Sequence, residues 1–263
     1  MRHSTCSRVV FTVGRITVLG MVLMVCSSSL FSTTRRPSKI FCREDLSQAR
    51  RQAIADKLRT ITGWNELAFD RDGSLQLGAK SATEGSPSAR ALLERAMSGS
   101  AIVVIEDASN RQDVVFCRVV PARWSNTSEQ NPPAYVVLVD FADFDHLIGD
   151  KIALKAFDVG WGFLHEIDHV VNDSVDAETL DDAGECESHI NQMRRECDLP
   201  VRSQYFSTLF PHAEQSDFMT RFVRLAFDHE DTGTSKHRRY WVMWDATVVG
   251  GMTPTNLIAE FNR

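Results

Sequence analysis

His165-Glu166-Ile167-Asp168-His169 places two imidazoles four residues apart, with an acid directly after the first. On a helix that spacing puts both rings on one face, about 5–6 Å apart. Both then reach a single tetrahedral metal ion. Glu166 stands just off that face, where a carboxylate accepts a proton from water activated by the metal. The flanking residues predict such a helix. Leu154, Phe157, Val159, Trp161, Phe163, Leu164, Ile167, Val170 and Val171 form an apolar run over 154–171, the density of a helix buried on most of its surface. Buried ionisable groups are costly unless satisfied, and a metal satisfies these. The plainer alternative is a helix whose two histidines hydrogen-bond within the core.

A third ligand is expected on a second helix downstream. Residues 181–196 open with acids and end with Arg194-Arg195, the order a helix dipole favours, and Pro200 stops them. Glu187 is the preferred ligand, with Glu185 its rival and His189 a weaker one. Asn191, one turn after Glu187, is placed to orient a ligand from behind. For both glutamates the plainer reading is an acidic, solvated first turn.

The string 165–169, followed by Glu187, Asn191 and Leu199-Pro200-Val201-Arg202, resembles the zincin metallopeptidases whose third ligand is a glutamate. Residues 187–202, Glu-Ser-His-Ile-Asn-Gln-Met-Arg-Arg-Glu-Cys-Asp-Leu-Pro-Val-Arg, are similar to segments after the zinc motif in bacterial effector and Rhs-toxin-type metallopeptidases. The likeness covers roughly residues 70 to 205. It implies an α+β, zincin-like fold, a Zn2+ cofactor held by His165, His169 and Glu187, and peptide-bond hydrolysis with Glu166 as general base. It leaves the substrate open beyond a protein or peptide. The donor to the oxyanion is sought among Tyr205, His212, His229, His237 and Tyr240, with Tyr205 preferred for its closeness to the second helix. Asp168 is expected beside the metal rather than on it, bonded to a histidine nitrogen or a neighbouring base. The alternatives are a non-catalytic zinc-binding module and a membrane-anchored interaction protein with an accidental motif.

Residues 1–40 carry six of the 29 basic residues and none of the 35 acids. An apolar run, Ile16–Cys26, follows the early arginines, and Ser27-Ser28-Ser29 follows the run. The pattern is that of a signal peptide or membrane anchor, predicting an exported or membrane-anchored protein with no part of 1–40 in the folded domain. The remaining chain has a net charge of −12, which argues against nucleic acid as a partner. Membrane contact is expected only through the N-terminal segment.

Four cysteines follow the leader. Cys186 and Cys197, about 16 Å apart along one predicted helix, are too far apart to pair. Free or partly buried thiols are expected, with packing the preferred role for Cys186 over metal ligation.

The chain divides into 41–100, an N-terminal helical region, and 101–263, the catalytic domain. Helices are predicted over 44–62 and from Ser86-Pro87, where a cap precedes proline at the first position. Strands are predicted near 75–77 and over 101–106, 113–120 and 135–140. Beyond Pro200 a hairpin is expected between 218–227 and 238–245, although the first arm also reads as helical. Either 113–120 or 135–139 is a candidate edge strand that pairs with an extended substrate.

Overall fold

A computed structural model describes residues 38–78, 81–82, 84–122, 132–179, 182–204, 208–209, 222–231 and 236–249. Every described residue lies in one compact unit, within 36–263. Residues 1–37 of the expected leader, the loop 123–131, the turn at Gly250-Gly251, and Tyr205 and His212 lie outside the described residues.

The fold is α+β. Its first sheet has the order β1 (Ile40–Cys42), β4 (Ile102–Asp107), β6 (Ala134–Val139), β5 (Cys117–Pro121). β1, β4 and β6 run parallel, and β5 lies antiparallel on the edge. β6 is paired on both sides, so of the two candidate edge strands only β5 is one. Along β6 the side chains alternate between two cores, as the two-residue period of a strand requires. Val137 and Val139 join the larger core, and Val136 and Leu138 join a smaller one on the opposite face.

Helices α1 (Gln48–Thr62), α2 (Pro87–Ser98) and α5 (Val159–Asn172) pack on the larger core, joined by Phe141 of the short α3 (Phe141–Asp145) and by Ile190 and Met193 of α6 (Glu185–Glu196). α2 begins as its sequence predicts, with Ser86 Oγ accepting from the Ala89 amide at 2.9 Å. Ile54, Leu58, Leu92, Leu93, Trp161, Phe163, Leu164 and Ile167 meet there, all fully buried or nearly so. The 41–100 segment thus supplies β1, α1 and α2 to the same core as the metal-motif helix.

The expectation that nothing in 1–40 belongs to the folded domain does not hold for residues 38–40. Ile40 is fully buried, opposite Val103 in the sheet. The Ser38 hydroxyl accepts from the Ile40 amide at 3.2 Å. A strand whose side chains fill a core belongs to the fold whatever precedes it.

The apolar run over 154–171 divides into α4 (Lys151–Ala156) and α5. Asp158 is extended and caps α5, accepting from the amides of Gly160 at 2.9 Å and Trp161 at 3.4 Å. The second expected helix, α6, spans Glu185–Glu196 and begins after Gly184, whose φ of +80° excludes a helical start earlier in the acidic run. A short 3-residue pair, β2 (Leu67–Phe69) with β3 (Leu75–Leu77), forms the expected turn.

The second sheet is β7 (Ile148–Gly149), β11 (Lys236–Asp245), β10 (Phe222–Asp231), β8 (Val201–Arg202), with β9 (Thr208–Leu209) also on β10. The predicted hairpin is β10–β11, its first arm a strand. It closes over a core rich in aromatic rings: Phe116, Phe157, Phe227 and Trp244, joined by partly buried Phe144. Cys42, Cys117, Cys186 and Cys197 are all unpaired thiols. Among the described residues no helix is long and apolar enough to cross a membrane.

Candidate metal centre and its buried carboxylate

α5 carries His165 and His169 one turn apart, their ring centroids separated by 4.8 Å. Each ring has one nitrogen held from behind. His169 Nδ1 lies 2.7 Å from the carbonyl oxygen of Ser174. A carbonyl only accepts, so Nδ1 carries the proton and Nε2 faces the other way. His165 Nδ1 lies 3.5 Å from Glu187 Oε2. Both Nε2 atoms face one carboxylate oxygen, Asp176 Oδ1, at 3.0 Å from His165 and 3.4 Å from His169.

Local backbone chemistry brings Asp176 there. α5 ends at Asp173, which is left-handed (φ 54°) and donates its amide to the His169 carbonyl. Asp is among the few residues that tolerate this conformation, and it reverses the chain. Asp176 then bridges to Gly184, while the Cys186 amide donates to the Val175 carbonyl at 3.2 Å. The approach is too close for a side chain at Gly184, where a Cβ would lie 2.5 Å from the Ala177 nitrogen. These ties hold the loop against the start of α6 and set Cys186 beside the two imidazoles. Donor atoms of His165, His169, Asp176 and Cys186 all lie within 4.8 Å of one another.

The set could hold a metal ion, and its donor types are ones that zinc, among other transition metals, accepts. Two imidazoles, a carboxylate and a thiol are zinc ligands, whereas magnesium and calcium favour oxygen alone. The rear acceptors on both rings are the outer partners that orient metal-binding histidines. Electrostatics agrees in direction. Hydrogen bonding to Asp176 and Cys186 lifts the His169 pKa to about 11, against burial. Burial lowers that of His165, but contacts with Asp176, Cys186 and Glu187 outweigh it and raise it well above the usual value. Acceptors that stabilise positive charge here also favour a divalent cation.

Asp168 sits behind this group, fully buried. Its carboxylate accepts from Asn172 Nδ2 at 2.5 Å, Ser174 Oγ at 2.6 Å and His189 Nδ1 at 2.8 Å. It therefore bonds a histidine nitrogen, and it also fixes the residue whose carbonyl holds His169.

Glu187, expected as a ligand, is directed elsewhere. Its carboxylate is buried and pairs with Arg194 Nη1, and with Arg202 Nη1 at 3.1 Å. Burial would raise its pKa, but the two guanidinium groups hold it well below the carboxylate range. Asn191 organises these partners: its Oδ1 accepts from Arg194 Nη1 and the Arg202 amide, both at 2.8 Å, and its Nδ2 donates to the Arg202 carbonyl. Glu187 thus touches the centre only through the rear of His165. Glu185 is exposed and outside the donor group, and His189 is engaged by Asp168.

Glu166 is buried, and its Oε2 accepts from the Val119 amide of β5 at 2.8 Å. Burial raises its pKa, opposed by the nearby imidazoles of His165 and His169. Of the candidate oxyanion donors described, His229 lies 3.5 Å from Asp198, and Tyr240 packs on the aromatic core. His237 stands opposite Glu230 in the hairpin.

Asp176, seven residues after His169, is not foreseen from the sequence, although Asn172-Asp173-Ser174 between them signals a helix stop and turn. Cys186 was assigned to packing. Compared with family models, curated proteins and solved structures, the chain matches none.

Proposed function

We propose that this chain is a zinc-dependent metallopeptidase of zincin-like fold, acting on protein or peptide substrates. The observation that carries the reading is the placement of Glu166: a buried carboxylate on the same helix as two imidazoles whose Nε2 atoms converge on one oxygen of Asp176. His165, His169 and Asp176 would hold the ion, with Glu187 acting through His165 rather than on the metal. Zinc bound there would supply Lewis acidity toward water and toward a peptide carbonyl.

The chain's own groups do the rest. Val119 anchors Glu166 Oε2, which leaves Oε1 for proton transfer. Burial raises the carboxylate's basicity toward the working range of a general base. Glu166 takes a proton from the attacking water and returns it to the leaving nitrogen. Among the described residues β5 is an edge strand of its sheet, and its Val119 amide bonds this carboxylate, so the strand would suit an extended peptide beside it. Export or membrane anchoring through the basic and apolar segment before Ser38 belongs to the same proposal, on its sequence pattern alone.

A non-catalytic zinc centre is the second reading. It is favoured by the number of donors: four close a tetrahedral shell, whereas three leave a position open. Metal analysis of the full chain beside His165→Ala, with digestion of an unbiased peptide library, separates the two. One zinc per chain with cleavage supports the peptidase. One zinc without cleavage supports the closed centre, and no metal overturns both.

A further inference from the structure

The Cys186 thiol has no part in the hydrolytic scheme, yet its sulfur is fully buried within the donor group. Sγ lies 3.3 Å from the His165 carbonyl, on the face of the helix that carries both imidazoles. It occupies the second residue of α6. The Val175–Cys186 backbone bond and the Asp176–Gly184 bridge fix it there. By contrast, Cys117, near Gly162 on the same helix, stands outside the group.

We propose that Cys186 is a fourth ligand of the same metal, its thiolate closing a shell that His165, His169 and Asp176 leave open. The inference rests on the metal-centre reading and adds regulation to it: in this conformation the centre is closed, and turnover is held low by a donor from the chain itself. A thiolate also sets metal preference. It favours zinc and other softer ions over magnesium, calcium or manganese.

Cobalt(II) loading of the full chain tests this, because a sulfur ligand gives a thiolate-to-cobalt charge-transfer band in the near ultraviolet. The band is expected in the wild type and absent from Cys186→Ser, which should bind cobalt more weakly by at least about tenfold, the least that loss of an outer partner commonly costs. Should Cys186→Ser fail to fold, a variant carrying Cys6→Ser, Cys26→Ser, Cys42→Ser, Cys117→Ser and Cys197→Ser together must keep the band. Peptide hydrolysis by zinc-loaded Cys186→Ala should exceed that of the wild type. A loaded wild type without the band overturns the ligand assignment. An active wild type with a folded, zinc-loaded Cys186→Ala that is no faster overturns the closing role. The band with no hydrolysis in either protein refutes the peptidase reading and leaves the ligand standing.

Discussion

Glu166 Oε2 and the Val119 amide, 47 residues apart in the chain, meet at 2.8 Å. This bond ties the acid of the metal motif to the edge strand, so the carboxylate is aimed by the sheet and not by its helix alone.

Glu166→Gln should abolish hydrolysis while leaving metal content unchanged. The amide oxygen still accepts from Val119, so the geometry survives, but the side chain no longer takes a proton. Loss of a general base commonly costs about a hundredfold to ten-thousandfold. Near-normal turnover in a metal-replete variant would remove Glu166 from the mechanism.

Asp168→Asn should weaken zinc binding about 10- to 100-fold without loss of fold. One neutral amide does not accept from Asn172, Ser174 and His189 together. Ser174 then loosens, and with it the carbonyl that fixes the His169 tautomer. Competition against a chromophoric chelator measures the affinity, and circular dichroism checks the fold. Unchanged affinity would confine Asp168 to a role in packing.

Glu187→Gln discriminates an ion-pair partner from a ligand. Removing one member of a buried charge group commonly costs about 3–5 kcal/mol, because the remaining charges are left uncompensated. Here Arg194, itself fully buried, and Arg202 lose their carboxylate. The expected result is a lower urea midpoint with zinc still bound stoichiometrically. A stable variant that has lost its zinc would make Glu187 a direct ligand.

Glu196 gives the acid limb of the stability profile. Burial would raise its pKa, but hydrogen bonds from Ser86 and Ser88 outweigh this and hold it at about 2 against an ordinary 4.5. The folded value is the lower one, so the stabilisation is present above about pH 4.5 and lost as pH falls toward 2. Glu196→Gln should therefore destabilise at pH about 6 and make little difference near pH 2. Urea midpoints at the two pH values decide it; a constant difference would mean that the charge is not what matters.

The helix carrying the histidine pair was legible because its apolar run and paired imidazoles are periodic signals. So was the start of α2, since Ser86-Pro87 is a cap whose mechanism is local. Asp176 was not legible. Its position depends on a left-handed Asp173 and a bridge to Gly184, and neither leaves a period in the sequence. Glu187 was misdirected for a related reason. Acids first and bases last describe a dipole, but Glu187 and Arg194 stand seven residues apart, two turns, and so share a face of α6. The pattern that favoured the helix thus also supplied the partner that engages the expected ligand. The edge position of β5 emerged only from strand order, which alternation within one strand does not encode.

The left-handed turn at Asp173 has a consequence for assembly. By folding the chain back at once, it gathers all four donors from positions 165 to 186. Contacts between near neighbours form early, because little loop-closure entropy opposes them. The donor cluster can thus come together, and take up its ion, while the sheet is still incomplete. Val119 reaches Glu166 only when β5 has docked on β6. On the proposed reading, binding of the ion and the anchoring of Glu166 by β5 would therefore be separate events in the folding of the chain.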